Sequence, residues 1–340
     1  MMFSLKQWRL LTYFWLCLVP IMASAQELPS FKQDPAVQTF IEQMTQKHGL
    51  DTTQLQQWFA QAQLQPEVLN AIARPYEALP WHRYQRLFLT PQHIQEGATF
   101  WQRHHATLSR AQAQYGVPAE IIIAVLGVET RYGQHKGKYP VLDALATLAF
   151  HYPPRAKFFK SELEQYLLLL HEEKLDPTIM KGSYAGAMGV PQFIASSYRH
   201  YAVDFSGSGQ RDIIHNVDDA IGSIANYFAK HGWKKEMPVV LSAMLTDPNA
   251  ASLKAKLNNP KPTYLLSELQ QQGVQLSNDS LPANSDKMLM ALIELEAQSG
   301  PAYWLGLHNF YVITRYNHSS LYAMAIYQLS QQIKQQYLAS

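Results

Sequence analysis

The stretch Ile121-Ile122-Ile123-Ala124-Val125-Leu126-Gly127-Val128-Glu129-Thr130-Arg131-Tyr132-Gly133 decides how the rest of the chain is read. Val117-Pro118 puts a proline at the start of a helix, and Gly133 supplies a stop after its end. Glu129 sits near that end. Ile122, Val125 and Leu126 lie seven, four and three residues before it and so share its face. A carboxylate on an apolar helix face is costly unless it is paired or protonated. Desolvation disfavours the charged form and raises the pKa, as a general acid at neutral pH requires. The alternative is a helix-terminal Glu paired with Arg131 or capping a backbone group. Spacing alone leaves both open.

Working outward, the chain reads mainly as helices. Thr90-Pro91 is an N-cap followed by proline, and Ile94, Ala98, Trp101, Leu108 and Tyr115 then recur at helical spacing up to Gly116. Helices are also predicted over 35–48, 51–63, 66–73, 161–174, 218–231, 287–298 and 320–337. Tyr303 to Thr314 is rich in aromatic and β-branched residues and reads as a strand or extended stretch. Asn258 to Leu266 and Ser277 to Ser285 are Pro/Asn/Ser-rich connections. The expected class is mainly α with a minor β component, α+β.

Of the 340 residues, 47% are hydrophobic and 16% charged, so a sizeable core can form and disorder is excluded. Lys6 and Arg9 are basic, Leu10 to Met22 is an apolar run of 13 residues, and Ala23-Ser24-Ala25 fits a small-x-small cleavage rule. Residues 1–25 read as a signal peptide cut before Gln26, with a short membrane anchor as the alternative. The remainder carries 26 basic and 26 acidic side chains, which argues against nucleic acid as a partner. The one cysteine, Cys17, falls within the apolar run, without the small residues of a lipoprotein cleavage box. The exported chain would then rest on core packing, without disulfides.

Three further stretches carry chemistry. Lys181 to Phe193 holds glycines that let a ligand approach the backbone, with Ser183 and Gln192 suited to hydroxyl or acetamido groups. A tightly packed turn is the alternative. Tyr316-Asn317-His318-Ser319, with Tyr322, sets aromatic rings beside an amide, which suits sugars and equally suits a core. Asp204-Phe205-Ser206-Gly207-Ser208-Gly209 resembles the start of a calcium loop, with His215 where a bidentate Glu is expected and Asp218 as a substitute ligand. An Asx-type turn without metal is the alternative. His171-Glu172 lacks the second His of a zinc-protease motif, His104-His105 point to different sides of a helix, and no nucleophile elbow or dinucleotide fingerprint is present.

Gly-Val-Glu-Thr-Arg-Tyr-Gly, Leu-Asp-Ala-Leu-Ala-Thr-Leu, Gly-Ala-Met-Gly, Tyr-Ala-Val-Asp-Phe-Ser-Gly and Tyr-Asn-His-Ser together resemble the lytic murein transglycosylases of the B type. The resemblance covers most of the chain from about residue 30. It implies a lysozyme-like core domain, an adjoining all-helical domain and a small β subdomain. The expected layout is a mainly helical domain over 26–115 and a catalytic core over 116–238, with a calcium-type loop at 204–218. A further helical segment would cover 239–300, and 301–340 would return to the core. It implies cleavage of the β-1,4 bond between N-acetylmuramic acid and N-acetylglucosamine, without water, leaving a 1,6-anhydro end. Glu129 matches the family's single catalytic acid. Ser183, Gln192, Tyr316, Asn317, Tyr322, Tyr84 and Arg155 match its sugar-contacting positions. The calcium ligands fall on Asp204, Ser206, Ser208, Gln210 through its carbonyl, and Asp218. Ser208 stands where a carboxylate is expected, so the metal, not required for the chemistry, would be a weak structural calcium. The implied partners are glycan strands and other cell-wall enzymes, in the periplasm or at the outer membrane. A hydrolytic muramidase and a non-enzymatic peptidoglycan-binding module are the rival readings.

Overall fold

A computed structural model describes residues 31–73, 79–247, 256–277 and 287–340. The leader segment 1–25, Cys17 and most of the 277–285 connection lie outside them. The first helices are α1 (Pro35–His48), α2 (Thr52–Gln61), α3 (Pro66–Ile72) and α4 (Trp81–Tyr84). Asp34 and Asp51 cap α1 and α2 by accepting the Ala36 and Gln54 N–H groups. Then come α5 (Pro91–Arg103), α6 (His105–Tyr115) and α7 (Ala119–Thr130). The single run expected from Ile94 to Tyr115 is broken at His104 (φ −111°, ψ 23°). The break lets α5 pack on α7 while α6 packs on α11 (Val217–Lys230).

α7 forms the axis of the core. Ala119 to Gly127 are all buried, which its nearly all-apolar sequence requires. Around it lie α5, α6, α11 and the C-terminal helix α14 (Ser320–Leu338). Between α7 and α11 come β1 (Tyr139–Pro140), α8 (Val141–His151), α9 (Ala156–Glu173), β2 (Lys181–Gly182) and α10 (Ala195–Tyr201). β1 and β2 pair antiparallel, Tyr139 opposite Gly182, and carry the chain into the Gly-rich loop.

The expected helical segment over 239–300 is corrected by the structure. Its described residues form β3 (Val240–Leu245), β4 (Tyr264–Leu265), the short helix α12 (Leu266–Gln270), β5 (Val274–Leu276) and β6 (Leu289–Ala297). With β7 (Gly300–Gly306) they make an antiparallel sheet in the order β4-β6-β7-β3-β5. The reading of 287–298 as a helix fails for a physical reason. Ala291, Ile293 and Leu295 enter the main core, whereas Met290 and Leu292 enter a second cluster with Leu241, Leu269 and Leu305. A strand buried on both faces loses its alternation and reads as a continuous apolar run, as a buried helix does. The stretch 303–314 is strand only to Gly306; α13 (His308–Ile313) follows.

Candidate active site

Glu129 occupies the last turn of α7, and the chain beyond it is held in an unusual path. Arg131 (φ 50°) and Tyr132 (φ 59°) are both left-handed without being glycine. Their N–H groups donate to Gly127 O and Leu126 O, which closes the helix end. The Arg131 guanidinium binds Glu96 through two bonds of 2.7 Å. Arg131 is therefore not the partner of Glu129, and that alternative is set aside. Tyr132 donates to His93 O at 2.7 Å, and its ring lies against Gly97 and Gly127. A Cβ at Gly97 would stand 2.6 Å from the Tyr132 hydroxyl. His93 Nε2 bonds Gly127 O at 3.0 Å, and Thr130 donates to Val190 O in the Gly-rich loop at 2.8 Å.

So placed, Glu129 Oε1 accepts a hydrogen bond of 2.6 Å from the Tyr322 hydroxyl. The carboxyl is densely surrounded by protein and keeps partial contact with solvent. Burial raises its pKa to about 7, and the Tyr322 bond opposes the rise. Burial, and then the charge of Glu129, push the phenols of Tyr322 and Tyr316 well above their usual value. The two rings lie nearly parallel, at 10° and 6.3 Å. Tyr84, buried and stacked on Trp81, acts on the same phenol of Tyr322. Tyr316 donates to Pro191 O. Its neighbour Gln192 is left-handed (φ 51°) and donates to Gly189 O and Lys136 O. Glu129, Tyr322, Tyr316, Tyr84 and Gln192 are thus brought into one linked group.

The other expected contacts are placed differently. Ser183 Oγ accepts the Ala185 and Ala187 N–H groups and closes the Gly-rich turn. Asn317 lies in the turn between Tyr316 and α14, its carbonyl accepting from Ser319 N. Arg155 is exposed before α9, its guanidinium 4.2 Å over the Phe158 ring. Among the described residues no hydrogen bond, ion pair or ring contact joins it to the Glu129 group. Nor does a second carboxylate act on Glu129 there. Asp143, the next acid after the motif in sequence, is taken up by Gln65 Nε2 at 2.8 Å, and Glu120, the nearest before it, by Lys334 Nζ at 2.8 Å.

Residues 32–331 match the family described as the transglycosylase SLT domain. The chain is 44% identical over 313 residues to membrane-bound lytic murein transglycosylase B of Escherichia coli K12, covering 89% of this chain and 84% of that protein.

The chain belongs to this transglycosylase family.

It is an enzyme, a lytic transglycosylase acting on peptidoglycan, with a lysozyme-like α+β fold. Among solved structures, E. coli Slt35 in complex with calcium is 42% identical, with a TM-score of 0.83 over 94% of this chain and 99% of that one. SltB3 of Pseudomonas aeruginosa in complex with NAG-NAM-pentapeptide is 33% identical, with a TM-score of 0.76 over 87% and 78%.

The calcium-type loop of this transglycosylase can be tested against its own atoms. Ser206 Oγ and Ser208 Oγ lie 3.2 and 3.4 Å from Asp204 Oδ1, and Gln210 O lies 3.2 Å from Ser208 Oγ. Separations of this size are those of neighbouring oxygens in a calcium shell. Asp204 also accepts the N–H groups of Gly207, Ser208 and Gly209. The fifth expected ligand, Asp218, has one oxygen engaged outside the loop. Asp218 Oδ1 accepts from Thr107 on α6. The carboxylate that closes the loop is Asp219, about 100° further round α11, which accepts from Phe205 N, Ser206 N and Asp212 N. Sequence reading missed Asp219, His93 and Glu96; none stands in a motif that marks it.

Tyr322→Phe removes the one bond that holds the Glu129 pKa down. If Glu129 is the proton donor it must be protonated to act, so activity would be present below about pH 7 and lost above it. The variant should show its alkaline limb of kcat/KM displaced upward by about one pH unit. Superimposable pH profiles for the two proteins would mean that the bond does not act on Glu129 in solution.

Proposed function

We propose that the enzyme cleaves the β-1,4 bond between N-acetylmuramic acid and N-acetylglucosamine with Glu129 as its only catalytic carboxyl. Protonated Glu129 gives its proton to the bridging oxygen as the glycosidic bond breaks. The resulting carboxylate takes the proton of the muramic acid C6 hydroxyl while that oxygen bonds to C1, closing the 1,6-anhydro ring. Atoms and charge balance with no water consumed. The substrate's N-acetyl group supports the positive charge that develops at C1. Ordinary glycosidases need two carboxyl groups because one must act on water or on C1. The observation that carries the reading is a carboxyl with a pKa near neutrality, bonded to a tyrosine and, among the described residues, isolated from other acids. Such a group can serve as acid and then as base.

Tyr84, Ser183, Gln192, Tyr316, Asn317, Tyr322 and Arg155 are the proposed sugar contacts. Mass spectrometry of muropeptides from digested sacculi tests the reaction. Products lighter by one water than hydrolysis products support it, and hydrated products would assign a hydrolytic muramidase instead. Residues 1–25 are proposed to direct export, placing the mature enzyme in the periplasm or at the outer membrane. Other cell-wall enzymes working on the same strands are its proposed protein partners.

A structural calcium on Asp204, Ser206, Ser208, the Gln210 carbonyl and Asp218 is also proposed. With only two carboxylates in the set, affinity falls toward ~10⁻³ M. Calcium at about ten times that level should raise the Tm by roughly 2 °C, and Asp204→Ala should remove the shift. An unchanged Tm would leave the loop closed by Asp204 and Asp219 alone.

A further inference from the structure

Away from Glu129, a pocket of about 430 Å³ opens where the loop after α11, the start of β6 and the beginning of α13 meet. Met288, Leu289 and Tyr311 give it an apolar wall, and Lys234, Lys261 and Lys287 reach it with exposed side chains. Among the described residues, none lining it is acidic. Among the described residues, none of these three lysines has a carboxylate partner. Three like charges around one cavity repel each other unless an anion lies between them. One wall is also fixed in advance. Buried Asn309 accepts from Lys234 N and donates to the Lys234 and Met237 carbonyls, and His308 Nε2 bonds Gly232 O. A ligand would therefore meet a wall already ordered.

α13 connects this pocket to the catalytic turn. His308 and Tyr316 are eight positions apart, roughly 12 Å along a helical path. Between them Arg315, also without a carboxylate partner among the described residues, lies 5.5 Å from the Tyr311 ring, and its Nη2 is 3.4 Å from His318 Nε2. Positive charge thus continues from the Tyr316 turn to the pocket.

We propose that this pocket binds the carboxylate-bearing end of a peptide stem on the glycan strand being cleaved, an inference that rests on the transglycosylase reading above. The ammonium groups take the carboxylates and the apolar wall takes the alkyl parts. A five-residue peptide spans roughly 17 Å when extended, enough to reach from a sugar beside Tyr316. The pocket would make the enzyme favour stem-bearing strands over stripped ones.

The test is the triple variant Lys234→Gln, Lys261→Gln, Lys287→Gln, with its Tm measured to confirm folding. Soluble stem-bearing strands and strands stripped of peptide by an amidase serve as substrates. The variant's KM should rise about fivefold on stem-bearing strands with kcat unchanged, and should match the wild type on stripped strands. Equal KM for both proteins on both substrates, or an equal loss on both, would overturn the assignment. So would unchanged kinetics together with lost binding to phosphatidylglycerol vesicles, which would give the pocket to an anionic lipid. If the wild type cleaved neither substrate, the transglycosylase reading itself would fail. Co-sedimentation of the protein with the two kinds of strand would still show whether the lysines prefer the stem.

Discussion

Glu129→Gln is expected to lower the rate of glycan cleavage at least ~10²-fold while the protein folds and binds glycan as before. Gln keeps the size of the side chain and its Oε1 can still accept from Tyr322, so the surrounding rings keep their places. What it lacks is a proton to give. Stability separates this loss from simple damage to the fold. The folded-state pKa of Glu129 is raised from 4.5 to about 7. A group shifted this way favours folding in its protonated form. Its contribution is fully present below the unfolded value and is lost as pH rises through the folded one. Above pH 7 the native enzyme therefore carries a penalty of up to about 3 kcal/mol that the Gln variant escapes. The variant should be inactive and yet melt higher than wild type at pH 8, with little difference at pH 4. An active variant would remove Glu129 from the chemistry, and an inactive variant that melts lower at pH 8 would point to lost folding.

How far these features were legible in the sequence depends on the range of the forces involved. α1, α7, α11 and α14 carry local signals, a capping residue or proline at one end and a periodic or wholly apolar face, and their limits came within one or two residues. Glu129 was legible for the same reason: three apolar neighbours on its own face declared the desolvation. β6 was not, because its alternation is hidden by a second cluster built from residues as distant in sequence as Leu241. The alternative that paired Glu129 with Arg131 failed for a similar reason. The near residue in sequence was Glu129, and the near residue in space is Glu96 on α5. Tyr322 lies 193 positions from the carboxyl it touches, and only the likeness of Tyr-Asn-His-Ser to a known family brought the two together beforehand. The acid that hydrogen-bonds both limbs of the calcium-type loop is Asp219, one residue beyond the expected ligand Asp218. Asp218 and Asp219 are equivalent in composition, and only the direction each takes from α11 separates them.

That one-residue difference has a large energetic consequence. Asp219 is fully buried, and its two oxygens hold three backbone N–H groups at 2.8 to 2.9 Å. Phe205 and Ser206 belong to one limb of the loop and Asp212 to the other, so a single carboxylate ties both limbs to the first turn of α11. The Asp212 limb also carries Ile213, whose carbonyl accepts from Val190 N in the Gly-rich loop beside Gln192. Asp219→Ala removes all three acceptors at once. Ser206 is exposed and can turn to water, whereas the N–H of buried Phe205 and that of half-buried Asp212 are left poorly satisfied. At about 1–3 kcal/mol for each buried donor without a partner, the variant should lose about 4 kcal/mol, a fall in Tm of roughly 6 °C for a protein of this size. Asp219→Asn keeps one accepting oxygen and should lose about half as much. Asp218→Ala, which removes only the bond from Thr107, should cost about 1 kcal/mol. Thermal melts of the three variants give the order directly. If Asp218→Ala proved the more damaging, the loop would be closed as the sequence suggests, by the acid at position 218.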